Sequence, residues 1–287
     1  MKHNTLSNLL SVAVLLSLMV LAAAMVFGAA TSVEPSAPNS LSIQSNTTTA
    51  YPNGTVLNGT RGYIYNVELN ESQPTFKWVG YVGNINGEYA LVDSSGKALY
   101  DWNIATVTGE VYATKEGPYI SAATYDDVSP YHGGIPYWPN ITCVNSTIIT
   151  GEGGAFNHTS TDEDSYTNTF KDTGFTNPGF FTSEVEVTNT NVIEGSTGNC
   201  YGANLNTNNT DESENGNWTQ VILTDRTIQY RSAVLDVWRY DVIYASIIEN
   251  DSIGYNGNNF DFQFLLPQSG LEGNQPNVAY YFYVELI

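Results

Sequence analysis

Histidine and basic side chains are what this chain does without. Three histidines occur in 287 residues, and His3 lies just ahead of an N-terminal apolar segment, leaving only His132 and His158 for chemistry. Motifs that announce common catalysts are missing as well. There is no HExxH, GxSxG or GxxxxGK[ST], and no GxGxxG after a strand-like run. Nine Lys and Arg stand against 29 Asp and Glu, for a net charge of −20. Such a surface repels nucleic acid and anionic lipid, which argues against both as partners. Charged residues make up only 13% of the chain, so the imbalance comes from scarce bases as much as from abundant acids. A salt-adapted surface would be far denser in acid.

Charge is also missing between His3 and Glu34, where residues 9–30 are almost wholly apolar. Lys2 precedes this run, and the small residues Gly28, Ala29 and Ala30 close it, as in a signal sequence with a cleavage site. The run is also long enough to span a bilayer as a retained signal anchor. Both alternatives keep Lys2 inside and export the body, so an extracellular or cell-surface location is expected. Membrane contact is then confined to the N-terminal segment where it is uncleaved. The two cysteines, Cys143 and Cys200, form an even pair in that exported part, which reads as a disulfide. Closing a loop of that length stabilises by about 4 kcal/mol in the chain-entropy model. A metal site built from these cysteines and the two histidines lacks any CxxC or HxxxH spacing.

Composition divides the chain into three parts: residues 1–30 as signal peptide or anchor, 31–61 as linker, and 62–287 as one β domain. The linker is rich in Ser, Thr, Asn, Pro and Gly and nearly uncharged. It cannot bury enough apolar surface to offset its own ordering, so it reads as a flexible stalk or spacer.

The body reads as strands. In 75–102, Phe76, Trp78, Gly80 and Val82 alternate with Lys77, Val79 and Tyr81, the period-2 spacing of a strand. Two apolar runs, 90–92 and 98–100, flank the polar Gly-containing break 93–97 and signal a hairpin. With 260–266 and 278–287, this stretch is expected to form one layer of a shared core, the last run lying centrally in a sheet. Further strands are expected at 63–69, 109–114, 141–144, 146–150, 184–187 and 221–223, and over 228–248, where Val, Ile and Tyr favour strands. No amphipathic helix follows the N-terminal segment, and 204–217 reads as an exposed polar loop. The resulting fold class is all-β, an antiparallel β-sandwich of jelly-roll or immunoglobulin-like type behind an N-terminal hydrophobic helix.

The run of FKWVGYVGNING (76–87), LYDW (99–102), GEVYAT (109–114), DFQFLLP (261–267) and YYFYVEL (280–286) resembles a group of exported archaeal β-rich surface proteins of unknown function. The resemblance covers most of 62–287, with 227–240 standing out as an insertion. It implies secretion and a β fold and carries over no activity.

The chemistry that remains is sparse. Asp211, Ser213 and Asn215, followed by Gly216, match the first half of a calcium loop, but position 12 is Ile222 instead of a bidentate carboxylate. Asp162 and Asp164 form a second, smaller acidic cluster. Calcium is thus the one cofactor left open, with solvated turns as the plainer reading. Ten N-x-S/T sequons mark candidate glycosylation sites, at Asn46, Asn53, Asn58, Asn70, Asn140, Asn145, Asn157, Asn208, Asn217 and Asn250. Trp78, Trp102, Trp138, Trp218 and Trp238 could line a sugar-binding surface, though tryptophan in β-sandwiches is usually core. No catalytic residue can be assigned. The sequence favours a non-catalytic surface protein, structural, adhesive or assembling, whose partners are further copies, other surface proteins or glycans. A carbohydrate-binding module is the alternative, and a secreted glycoside hydrolase the third reading.

Overall fold

The computed structural model describes residues 34–42, 61, 75–115, 135–193, 198–205, 218–226, 228–231, 238–271 and 278–287. The N-terminal apolar segment, the expected strand at 63–69 and most of the linker lie outside these residues, as does nearly all of the loop 204–217.

In chain order the strands begin with β1 (Trp78–Gly83), β2 (Glu88–Val92), β3 (Ala98–Asn103) and β4 (Gly109–Thr114). A 3-10 turn (Trp138–Asn140) leads to β5 (Thr142–Cys143), helix α1 (Ser146–Ala155) and the single turn α2 (Tyr166–Thr169). Then come β6 (Phe180–Thr182), β7 (Val185–Val187), β8 (Gly202–Leu205) and β9 (Trp218–Thr224). The last third holds β10 (Ile228–Arg231), β11 (Trp238–Tyr240), β12 (Ile243–Ile247), β13 (Ser252–Ile253) and β14 (Asn259–Phe260). Strands β15 (Phe262–Pro267) and β16 (Tyr281–Leu286) close the chain. The fold is all-β: every strand pairing is antiparallel, and helix is minor. Among the described residues no helix is long and apolar enough to cross a membrane.

The centre is a sheet in the order β16-β4-β12-β9, with β5 and β8 sharing the far edge of β9. Strands β4 and β9 are buried along their whole length. Both faces of these strands must therefore be covered. On one face, Val111, Ala113, Ile222 and Tyr244 pack against Ile148 and Ile149 of α1, Tyr166, Phe170, and Phe264 and Leu266 of β15. On the other, Tyr112, Val221, Leu223, Ile243, Ala245 and Tyr283 meet Trp138, Phe175, Phe180, Val187 and the cysteine pair. Cys143 and Cys200 are disulfide-bonded, with Cα atoms 5.2 Å apart, and fasten this second cover to the sheet.

The pair β1–β15 lies over the first face and is stitched there by side chains. Gln220 is fully buried; its Nε2 donates to Leu265 O and its Oε1 accepts from Leu265 N–H, both at 2.9 Å. Ser246, its neighbour across β12 and β9, donates to Gln263 O at 2.9 Å. The edge of β15 away from β1 is thus satisfied without another strand, which answers the edge problem inside a packed layer.

Three expectations need correcting. Residues 146–150 open a helix, because the Asn145 side chain accepts from Ile148 N–H and caps the N-terminus. That local bond outweighs the strand preference of Ile148 and Ile149. The C-terminal run does not sit centrally in the sheet: β16 pairs with β4 on one side, while its other side carries an isolated bridge to Ser36. Ser36 N–H donates to Val284 O at 3.1 Å and Val284 N–H to Ser36 O at 2.8 Å, so this part of the expected linker lies against the body. Finally, of the stretch 75–102 only β1 and Ile85 just beyond it join the core. Among the described residues, strands β2 and β3 pair only with each other, and every residue in them is exposed.

Replacing Gln220 with leucine should destabilise the protein by about 2–5 kcal/mol, since it strands the Leu265 N–H and C=O. Urea denaturation checks this. A loss within about 0.5 kcal/mol would show that the stitch is not what holds β15 down.

Candidate functional site

Two surface features combine chemistry with exposure. The first is the β2–β3 hairpin. Its register sets Tyr89 opposite Trp102 and Leu91 opposite Tyr100, so these four side chains share one face. The Tyr100 and Trp102 rings are 4.8 Å apart, edge to face. A register shift between Leu91 and Val92 ends the regular pairing near the turn. There Asp93 Oδ1 accepts from Ser95 N–H (2.8 Å) and Lys97 N–H (2.9 Å), and Gly96 takes a φ of 76°, a left-handed conformation suited to glycine. The turn is well made, while the strands it joins present large apolar groups to water: Trp102 is 52% exposed and Leu99 82%.

The second feature is a cleft of about 690 Å³ lined by Glu110, Glu249, Thr176, Phe180, Phe181, Ile247 and Ile287, among others. One lining residue, Glu110, belongs to a carboxyl pair. Strands β4 and β16 run in a register that places Glu110 directly opposite Glu285, on the face that carries Tyr112 and Tyr283. The turn after β6 closes over Glu285. Ser183, at a φ of 55°, donates its N–H to Glu285 Oε1 at 2.8 Å, and Tyr112 donates its hydroxyl to Oε2 at 3.1 Å. Thr182 Oγ1 lies 3.0 Å from the same hydroxyl. Glu110 receives no such help: it is 3% exposed, and its Oε2 is buried without a hydrogen-bond partner.

Burial, reinforced by the facing Glu285, pushes the Glu110 carboxyl up to about 9. Burial also raises Glu285, to about 7, against the lowering effect of its Ser183 and Tyr112 bonds. Glu249, on the wall of the cleft, is raised by burial too. A glycosidase needs an acid and an ionised base, two carboxyls shifted apart. Here the two carboxyls that line the cleft are shifted in the same direction, and Glu285 has both oxygens committed to the protein.

The residues singled out from the sequence are placed elsewhere. Asp162 and Asp164 are held by a lysine: Lys77 Nζ lies 2.8 Å from Asp162 Oδ2 and 2.5 Å from Asp164 Oδ1. The Lys77 bond, together with one from Thr75, lowers Asp164 below the usual carboxylate range. Trp78 Nε1 donates to Asp164 O at 2.7 Å, so the acidic loop is a strap tied to β1. Asp211, Ser213 and Asn215 lie outside the described residues. Among the described residues no group of three or more His, Cys, Asp or Glu is placed to hold a metal ion. His158 is buried and bonded through Nε2 to Gln268 O at 2.8 Å, while His132 is not among the described residues.

Of the sequon asparagines, Asn157 and Asn250 are exposed, and Asn140 and Asn145 are half-buried. Asn140 Nδ2 donates to Asp225 O at 3.0 Å, and Asn145 caps α1. Asn46, Asn53, Asn58, Asn70, Asn208 and Asn217 fall outside the described residues. Trp138 and Trp218 are core, Trp78 is partly buried against it, and Trp102 stands on the exposed hairpin. The side chain of Trp238 is not described. Sequence reasoning passed over Glu110 and Glu285. The available signal was a carboxylate in phase with an aromatic, Glu110 with Tyr112 and Glu285 with Tyr283.

The carboxyl pair makes a pH prediction. Both folded values exceed the unfolded value of 4.5, so the folded state binds more protons above that pH. This stabilisation is complete below about pH 4.5 and is lost as pH rises through about 7 for Glu285 and about 9 for Glu110. Glu110 alone accounts for at most about 4 kcal/mol between pH 5 and pH 8. Urea midpoints should therefore fall from pH 5 to pH 8, and Glu110→Gln should flatten the slope. An unchanged slope in the variant would remove Glu110 as its source. No family model, curated protein or solved structure matches this chain.

Proposed function

We propose that this protein is a non-catalytic, exported component of a cell surface that associates with further copies or other surface molecules through its β2–β3 hairpin. One observation carries the reading: a two-stranded ribbon with Tyr89, Leu91, Val92, Leu99, Tyr100 and Trp102 all more than half exposed. A lone hairpin is marginal in water, and apolar groups gathered on it are the mark of an interaction surface. The uncharged N-terminal run and the Ser/Thr/Asn-rich residues after it support export and a tether, either as a cleaved signal peptide or as a retained anchor helix. The resemblance to exported archaeal β-rich surface proteins points the same way. An antiparallel sandwich is the architecture read for the body, with β1–β15 laid across the central sheet.

Carbohydrate binding is the second reading. It is favoured by Tyr89, Tyr100 and Trp102 sharing one wet face of the hairpin.

The full-length chain should form ordered oligomers in negative-stain microscopy and light scattering. Leu91→Asp with Leu99→Asp should weaken association at least tenfold. These side chains are exposed, so the unfolding free energy from urea denaturation should change by no more than about 0.5 kcal/mol. A monodisperse monomer at high concentration would overturn assembly. Glycan-array hits that disappear in Trp102→Ala, with no oligomers, would select the carbohydrate reading.

A further inference from the structure

The cleft and the hairpin have complementary needs. Among the described residues two acidic side chains and no basic one line the cleft, and Glu110 there holds a buried carboxyl oxygen without a partner. Such a group is destabilising until a donor reaches it. Phe181 and Ile287 make the rim apolar, and both are exposed. The occupant that fits is therefore a basic group on a flexible stem with apolar neighbours.

The chain has few bases to offer. Lys77 is taken by Asp162 and Asp164, and Lys115 by Glu152. Lys97 is exposed at the hairpin turn, where its backbone is tied to Asp93 and no ion pair reaches its ammonium group. Val92 and Leu99 flank it, both exposed. Lys171 is exposed too, but it lies on a segment bridged to Gly202 and does not project. Among the described lysines, Lys97 alone combines charge, apolar flanks and reach, since strands of this length extend roughly 17–20 Å.

The hairpin does not fill the cleft of its own molecule. It is rooted at the rim: Gly87 lies against Leu286, Ile104 and Val107, next to the cleft residues Thr108 and Ile287, and no residue of β2 or β3 lines the cleft. We infer that the cleft receives the β2–β3 turn of a second copy, with Lys97 directed at Glu110 and Glu249 and with Val92 and Leu99 against Phe181 and Ile287. This rests on the assembly reading above and names its partner surface. Arrival of the ammonium group supplies the missing partner of Glu110, whose carboxyl releases its proton to solvent as the pair forms, and the apolar flanks of the turn leave water together with the rim. The fit is heterologous within each contact, so it closes as a hairpin-exchanged dimer or continues as a chain, depending on the angle between copies.

Cysteine cross-linking on the full-length chain tests the contact. Lys97→Cys combined with Thr176→Cys, an exposed position lining the cleft, should give disulfide-linked dimers or a ladder on a non-reducing gel. The yield should be at least tenfold above the control pair Lys97→Cys with Lys171→Cys. The native cysteines are fully buried and bonded, so they do not compete. In the otherwise unaltered chain, Lys97→Glu should weaken association at least tenfold, and Lys97→Arg should retain it. Oligomers that form without cross-linking above the control would overturn the cleft contact and leave assembly standing. A wild-type chain that stays monomeric would overturn both.

Discussion

Strands β4, β12 and β9 have almost no wet side, and most of the molecule is arranged to cover them. An antiparallel sheet ordinarily leaves one face to solvent, and its sequence then alternates apolar with polar. In β4 and β9 the residues of both faces are buried, so each face needs its own cover. The first is assembled from α1, α2 and the β1–β15 pair, the second from the 3-10 turn, the β6–β7 hairpin and the disulfide loop. Polar residues on the sheet survive because they bind the covers. Gln220 and Ser246 hold β15 by its backbone, and Tyr112 meets Thr182.

The same requirement produces the carboxyl pair. Glu110 and Glu285 follow the period that puts Tyr112 and Tyr283 into the second core, and the β4–β16 register sets them face to face. Like groups opposite one another in a sheet destabilise it when ionised. The β6–β7 turn relieves one of them with a main-chain N–H, at the expense of a left-handed Ser183. Glu110 is left to burial. A hydrophobic residue there would pack well, so retaining a carboxyl at the floor of an open cleft makes sense where something outside the molecule meets it.

Much of the strand content could be read from residues 75–115 and 260–287, where alternation and turn chemistry agree. Three things could not. The helix at Ser146–Ala155 rests on one capping bond from Asn145, which has little weight beside two isoleucines in a window of composition. The edge position of β16 depends on what pairs with it, and its sequence is as apolar as that of a central strand. The cleft joins residues 110, 176 and 249, and its Glu110 faces Glu285 from the far end of the chain, so no local pattern could assemble it. Asp162 and Asp164 illustrate the reverse error. Their spacing resembles a cation site, and the ion it meets is Lys77, supplied from just ahead of β1, eighty-five residues away.

The hairpin is where local and global signals part. Residues 88–103 carry every mark of a core ribbon, aromatic and β-branched residues around a well-formed turn, yet all of its residues in β2 and β3 are exposed. Two explanations are physically distinct. Either the ribbon tolerates its wet apolar surface for no return, or burial elsewhere offsets it. The first is hard to sustain, because a two-stranded ribbon gains only cross-strand pairs worth tenths of a kcal/mol each, too little to hold it extended alone. Burial of even half its apolar side chains would contribute several times as much. In the assembly proposed above, that burial comes from a neighbouring molecule, whose acidic, apolar-rimmed cleft complements Lys97 and its apolar flanks.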